Sequence, residues 1–196
     1  MDAMEALLNR SSVPAKLLAE PAPSGAEFEE ILAAAMRAPD HGALRPWRFL
    51  TIRGEARRKL GEVFAEALCR RDPLATEGMR QKELGRPLRS PLIVVVYAEI
   101  VENHPKVPRV EQVVAAAAAA QNILLAAYAK GYGGIMLTGA NAHDPHVKTA
   151  LGINPAAEIV TFLYLGTPIE PPRQKPRLSP TGFTREWTEP VQSGNT

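Results

Sequence analysis

The alternation of apolar and polar positions divides the chain into helical stretches of period near 3.6 and short apolar runs of strand character. Asp2 to Asn9 sets Ala3, Met4, Leu7 and Leu8 at helical spacing behind an N-cap aspartate. Ser24 to Met36 repeats the pattern with Phe28, Ile31, Leu32, Ala35 and Met36 on one face, and Ser24 and Glu27 have the spacing of a capping box. Arg48 to Arg53 predicts a short buried strand, and Ala56 to Arg71 a third helix with Leu60, Val63, Phe64, Ala67 and Leu68 inward. Asp72 to Arg89 is charged and predicts only weak helix, a segment that could close over a ligand. Leu92 to Ala98 is continuous and β-branched, as a central strand covered on both faces should be. Arg109 to Lys130 predicts a long helix holding six consecutive alanines, Ala115 to Ala120, which suit a dimer seam first and a closely packed core helix second. Ile135 to Thr138 and Ile159 to Gly166 complete the strands, and His143 to Leu151 a last short helix. Lys16 to Pro23 and Glu99 to Pro108 predict irregular connections, the second with a solvated His104.

Length and composition narrow the class. A chain of 196 residues suits one domain with a sizeable core. A net charge of +2 without a basic stripe argues against a nucleic-acid partner. The single cysteine, Cys69, excludes an internal disulfide and a multi-cysteine zinc site and suits a reducing compartment; its place in a helix predicts burial as a small hydrophobe. The apolar run Val113 to Ala129 is alanine-heavy and broken by Gln121 and Asn122, a poor membrane span. The basic, apolar lead of a signal peptide is also missing from Met1 to Glu5. Together these predict a cytoplasmic protein.

Candidate chemistry collects in three places. Arg10, Ser11 and Ser12 put a planar fork of donors and two hydroxyls at a helix end, as a phosphate requires, although a dipole-complementing arginine with solvated serines explains them too. The stretch Met36-Arg37-Ala38-Pro39-Asp40-His41-Gly42-Ala43-Leu44-Arg45-Pro46-Trp47 loads a helix-to-strand connection with polar groups, where binding residues often sit. Gly131-Tyr132-Gly133-Gly134 permits close backbone approach but does not match a dinucleotide fingerprint. His143 and His146 lack further metal ligands nearby, and Asp144-Pro145 is an ordinary helix start, so no metal is expected. The tail after Pro168 is proline-rich and polar, so its Phe183 and Trp187 need another surface to dock on.

In their order and spacing, Asn9 to Ser12, Met36 to His41, Arg45-Pro46-Trp47, Glu102-Asn103-His104, Lys106 to Arg109, Gly133-Gly134-Ile135 and Phe162 to Pro168 resemble the nitroreductase family of flavin-dependent oxidoreductases, especially its small bacterial NAD(P)H branch. The resemblance implies an α+β fold in which a central, mostly antiparallel sheet is flanked by helices. It implies an intertwined homodimer too, with residues 168–196 wrapping the partner and two FMN sites each built from both chains. Arg10, Ser12 and, less directly, Ser11 would then hold the FMN phosphate together with Lys175 and Arg177, Arg37 and His41 would contact the flavin, and Met136, Leu137, Thr138 and Gly139 would offer backbone to the ring. Hydride would pass from NADH or NADPH through FMN to a small-molecule acceptor such as a nitroaromatic, quinone or enone, with no side chain required as nucleophile or base. Where family members carry serine, asparagine and glutamine before Pro-Trp, this chain has His41, Ala43 and Arg45, and Ser11 replaces a second arginine. Two other readings stay open: a flavin-binding or flavin-modifying protein of this fold without NAD(P)H turnover, and a cofactor-free protein that dimerises through its alanine helix.

Overall fold

A computed structural model of the chain describes residues 2–172 and 176–188. Among the described residues six α-helices and five strands follow one another as α1 (Ala3–Asn9), β1 (Leu18–Ala19), α2 (Gly25–Ala35), β2 (Trp47–Arg53), α3 (Ala56–Arg71), α4 (Glu77–Gly85), β3 (Leu92–Ala98), α5 (Arg109–Ala129), β4 (Gly133–Leu137), α6 (Pro145–Ala150) and β5 (Glu158–Pro168). The strands form one sheet in the order β1-β5-β3-β2, with β4 also on β5, and every pairing is antiparallel. This is the expected α+β architecture.

Strand β3 divides the core. Leu92, Val94 and Val96 point into a cluster with α2 and α5, while Ile93 and Val95 point into a second with α3 and α6, and all five are fully buried. Period-two alternation between two helical layers makes the whole strand apolar, and each buried aliphatic side chain contributes about 1.5–3 kcal/mol relative to exposure. β5 follows the same rule, sending Leu163 and Leu165 to the first cluster and Phe162 and Tyr164 to the second, after a register shift between Val96 and Tyr97.

Four expectations are corrected. β2 is the edge of the sheet and only Trp47 and Ile52 are buried along it. The Lys16–Pro23 connection contains the two-residue strand β1, formed because its backbone finds the end of β5. The Ser24 side chain caps nothing, and Glu27 accepts from the Tyr132 hydroxyl at 2.8 Å instead of closing a capping box. In the alanine run, Ala115, Ala116, Ala119 and Ala120 face the chain's own core, where their small side chains bring α5 close to the sheet, so the core role precedes any seam.

α5 is the axis of the molecule. It is the one described helix long and apolar enough to cross a membrane, yet it lies in the core. α2 runs antiparallel along it, tied by Asn122 donating to the Ala34 carbonyl at 3.1 Å and by the Lys130–Glu30 ion pair. Beside these contacts α5 keeps a half-open stripe of Val110, Val114, Ala117, Gln121 and Leu125, with Val110 and Val114 66% and 60% exposed. The spacing of three and four residues is that of a helix seam.

Candidate functional site

The first candidate centre forms where α1 ends. The Arg10 N–H closes the last turn on the Ala6 carbonyl, and the chain then extends until the Val13 N–H bonds the Gly134 carbonyl at 3.1 Å. This path buries Ser11 and Val13 and turns the Arg10 guanidinium toward a cavity of about 180 Å³. Val13, Leu124, Tyr128, Gly133, Gly134 and Pro168 supply its apolar walls. Glycine is needed twice here, since a Cβ on Gly133 would stand 2.8–2.9 Å from Pro168, Leu18 and Val13, and one on Gly134 2.7 Å from Leu124 and Leu165.

The charges in this cavity ask for an anion. Arg177 returns from the tail and donates to the Arg10 carbonyl at 2.7 Å and to the Ser11 hydroxyl at 3.4 Å. Arg10 Nη1 is buried without a hydrogen-bond partner among the described residues. Burial first, and the neighbouring Arg177 second, push the Arg10 pKa below its ordinary value. Arg10 and Ser11 line the cavity and Arg177 is bonded to both, so two guanidiniums and a hydroxyl gathered here match the oxygens and charge of a phosphate. The volume suits a phosphate rather than a three-ring system.

The ring-binding residues expected of β4 lie farther on. From Gly133 the strand carries the chain about 13 Å, at 3.3 Å per residue, to Leu137. Met136 and Leu137 are half-buried, Thr138 and Gly139 are exposed, and the Leu137 carbonyl accepts from the Thr161 hydroxyl at 3.2 Å. Gly139, at φ 67° and ψ −170°, takes a conformation that glycine alone adopts freely and opens the turn Ala140–His143. That turn is anchored from below: Arg71 donates to Asn141 Oδ1 at 2.9 Å and pairs with Asp144, and Asn141 donates to the buried Glu83 at 2.9 Å. Asp144 also caps α6 through the His146 and Val147 N–H groups, as its place before Pro145 predicts. Burial raises the Asp144 pKa, but Arg71 and the two backbone donors outweigh it and hold the carboxyl below its ordinary value.

The Arg37–Trp47 loop is a second centre. Asp40 accepts from the Arg45 N–H at 2.6 Å, and Ala43 and Arg45 sit at φ 52° and 47°. A left-handed residue with a side chain costs about 1–2 kcal/mol, which the Asp40 bond and Arg48, donating to the Arg45 and Trp47 carbonyls, offset. Trp47 is buried and its indole N–H meets Met36 Sδ at 3.0 Å. His41 Nδ1 lies 2.6 Å from Glu111 Oε2 in the first turn of α5, and Arg37 is exposed. Val107 buttresses the loop, 3.1 Å from where a Cβ on Gly42 would stand.

Neither the 99–108 connection nor the 72–89 segment hangs loose. Gln112, 1% exposed, bonds Val101 through its N–H and carbonyl and also the Val107 carbonyl, while Arg109 pairs with Glu102 and Glu158. His104 is half-buried rather than solvated, its Nδ1 accepting from the Lys106 and Val107 N–H groups. Within residues 72–89, α4 packs so closely on α3 that a Cβ on Gly61 would meet the Leu84 carbonyl at 2.3 Å. The helix-to-helix seam leaves Cys69 exposed, correcting its expected burial.

The single chain thus brings Arg10, Ser11 and Arg177 together, with Ser12 exposed beside them. Lys175 lies outside the described residues. Arg37 and His41 do not join this group. Glu111 and Asn122, which meet the His41 loop and α2, share one face of α5, whereas Leu124 and Tyr128 of the phosphate cavity lie roughly 100° or more around the axis. Glu111 and Tyr128 are also about 25 Å apart at 1.5 Å per residue. No group of three potential metal ligands occurs among the described residues; His146 pairs with Glu66. Glu111 and Gln112 escaped sequence reasoning because their partners are distant in the chain or bound through backbone.

Comparison with known proteins places these features in context. The nitroreductase family model matches residues 7–167. YdjA of Escherichia coli strain K12, named as a candidate NAD(P)H nitroreductase, is 44% identical over 168 residues, covering 86% of this chain and 89% of YdjA. The crystal structure of a nitroreductase-like family protein from Bacillus cereus superposes with a TM-score of 0.80 at 25% identity, over 95% of this chain and 96% of that one. A candidate nitroreductase from Desulfovibrio desulfuricans, solved in complex with FMN, shares the fold with a TM-score of 0.71 at 23% identity, over 97% and 99% of the two chains.

Proposed function

The chain belongs to the nitroreductase family, and from that premise we propose that it is an FMN-dependent oxidoreductase. It takes hydride from NADH or NADPH and passes it to a small-molecule acceptor, a nitroaromatic, quinone or enone. The observation that carries this reading is the buried Arg10 Nη1, without a partner among the described residues, beside Arg177 and Ser11. These groups fit a flavin phosphate, and β4 leads from that cavity to the Met136–Gly139 backbone over a length suited to a ribityl chain and part of the ring it carries. FMN supplies a two-electron hydride carrier. The chain's own part is to hold the phosphate with Arg10, Ser11, Ser12 and Arg177, to orient the ring against Met136, Leu137, Thr138 and Gly139, and to place the Arg37 guanidinium near charge that develops on reduction.

The active unit is a homodimer with two composite sites. Arg37 and His41 stand on another face of α5 from their own chain's phosphate cavity, so they serve the flavin held by the second copy. The stripe Val110, Val114, Ala117, Gln121 and Leu125 passes beside Tyr128 of that cavity, and a partner covering it would abut the site. Met4, Leu7 and Leu8 on α1 add exposed apolar surface, and Leu178, Phe183 and Trp187 are exposed in the tail, as expected if residues 168–196 wrap the partner. The whole chain then acts as one domain in the cytoplasm, a location supported by its single free cysteine.

Purified protein should be yellow and release FMN on denaturation, and anaerobic NADH or NADPH should bleach it. A colourless protein that takes up no added FMN contradicts the reading. Bound flavin that neither nucleotide bleaches would instead indicate a flavin-binding protein without turnover.

A further inference from the structure

The His41–Glu111 contact joins a loop that carries proposed flavin contacts to the first turn of α5, at 2.6 Å between Nδ1 and Oε2. With Nδ1–H donated to the carboxylate, Nε2 is the only ring nitrogen left to face the site. Reduction of an acceptor by hydride leaves one proton to be delivered. Among the residues that the proposed function places at the ring end, Arg37, His41 and Met136 to Gly139, the imidazole is the one side chain of a type that serves as a general acid. The titratable and charged groups on the elements around it are Arg37, Asp40 and Arg45 on the same loop, His104 and Lys106 on the segment that Val107 brings against Gly42, and Arg109 in the first turn of α5, itself paired with Glu102 and Glu158. Asp40 is already committed to the Arg45 N–H, and His104 Nδ1 to the backbone of Lys106 and Val107.

We propose that His41 and Glu111 form a proton-delivering dyad for the acceptor half of the reaction, His41 as the catalytic acid and Glu111 as the residue that positions it. The proposal rests on the flavin-site reading above. For a quinone the balance is complete: NAD(P)H loses a hydride and is oxidised, the quinone gains that hydride through the cofactor and a proton from His41 Nε2, and hydroquinone leaves. Solvent then restores the imidazole proton. Glu111, 2.6 Å from Nδ1, fixes the ring orientation and leaves Nε2 to deliver the proton.

Two measurements on Glu111→Gln and His41→Gln test this. In stopped-flow experiments on prereduced holoprotein, each variant should slow reoxidation by a quinone about 10- to 100-fold, within the range of general acid catalysis. In both variants reduction by NADPH should slow less than reoxidation does, and the pH profile of reoxidation should flatten. Imidazole ¹⁵N spectra provide a readout independent of turnover: the His41 Nδ1 resonance of the flavin-free chain should shift in Glu111→Gln. Reoxidation rates and pH profiles equal to wild type, or an unmoved Nδ1 resonance, overturn the dyad. Wild-type protein that binds no flavin overturns the function reading, while the spectrum still reports on the His41–Glu111 contact.

Discussion

The Arg10 cavity and the Arg37–Trp47 loop differ in how much of a site each completes by itself. The cavity has apolar walls, the Arg10 side chain with its buried donor and the Ser11 hydroxyl, with Arg177 bonded to both residues, all from one chain. The loop is equally well built, with Asp40 and Arg48 holding a strained backbone and Glu111 fixing His41, yet its polar groups face outward. Such an ordered but outward-facing loop suits a partner surface, and under the proposed function that partner is a second copy with its flavin. The two regions therefore respond to different perturbations.

The largest effect should come from separating the copies. Val114→Glu puts a charge on the exposed stripe without touching the core. It should give a folded monomer by sedimentation and lower NAD(P)H-dependent turnover on the order of 100-fold or more, as loss of positioning groups does. Next, Arg10→Ala should weaken FMN binding by about 1.5–3 kcal/mol, one charged hydrogen bond, without dissociating the dimer; fluorescence titration of released flavin measures it. Unchanged affinity would remove Arg10 from the phosphate site.

Two smaller effects probe the supports of each region. Gln112→Ala strips hydrogen bonds from Val101 and Val107 and should cost about 1–3 kcal/mol in urea unfolding, while loosening the buttress under Gly42. For Asp144, beneath the ring end of β4, the folded pKa is depressed, so its stabilisation is complete above the unfolded value near 3.9. It is lost as pH falls through that value toward the folded one. Asp144→Asn should flatten this acid limb of thermal stability below about pH 4 while leaving FMN affinity near neutral pH within twofold.

How much of this was legible in the sequence depended on range. Periodicity located α3 at its observed limits and β3 as the two-sided central strand, because burial imposes those patterns locally. It misplaced β2, since apolar side chains on an edge strand look the same as buried ones until the neighbours are known. The alanine run announced close packing but not with what, and four of its alanines turned to the chain's own core. For the site, family resemblance named Arg10, Arg37, His41 and Arg177, whereas neither composition nor spacing could reveal that α5 stands between the two pairs. Glu111 shows the same limit, as its meaning arises from His41 seventy positions away.

Complementation between two inactive variants tests the composite site most directly. Arg10→Glu and Arg37→Glu chains, each inactive alone at limiting FMN, are mixed, dissociated and reassociated. If Arg10 of one chain and Arg37 of its partner serve the same flavin, each heterodimer has one doubly altered site and one intact site. Random pairing should then restore about one quarter of wild-type activity, as two-fold symmetry requires. If each site lies within one chain, every site in the mixture carries a defect and no activity returns.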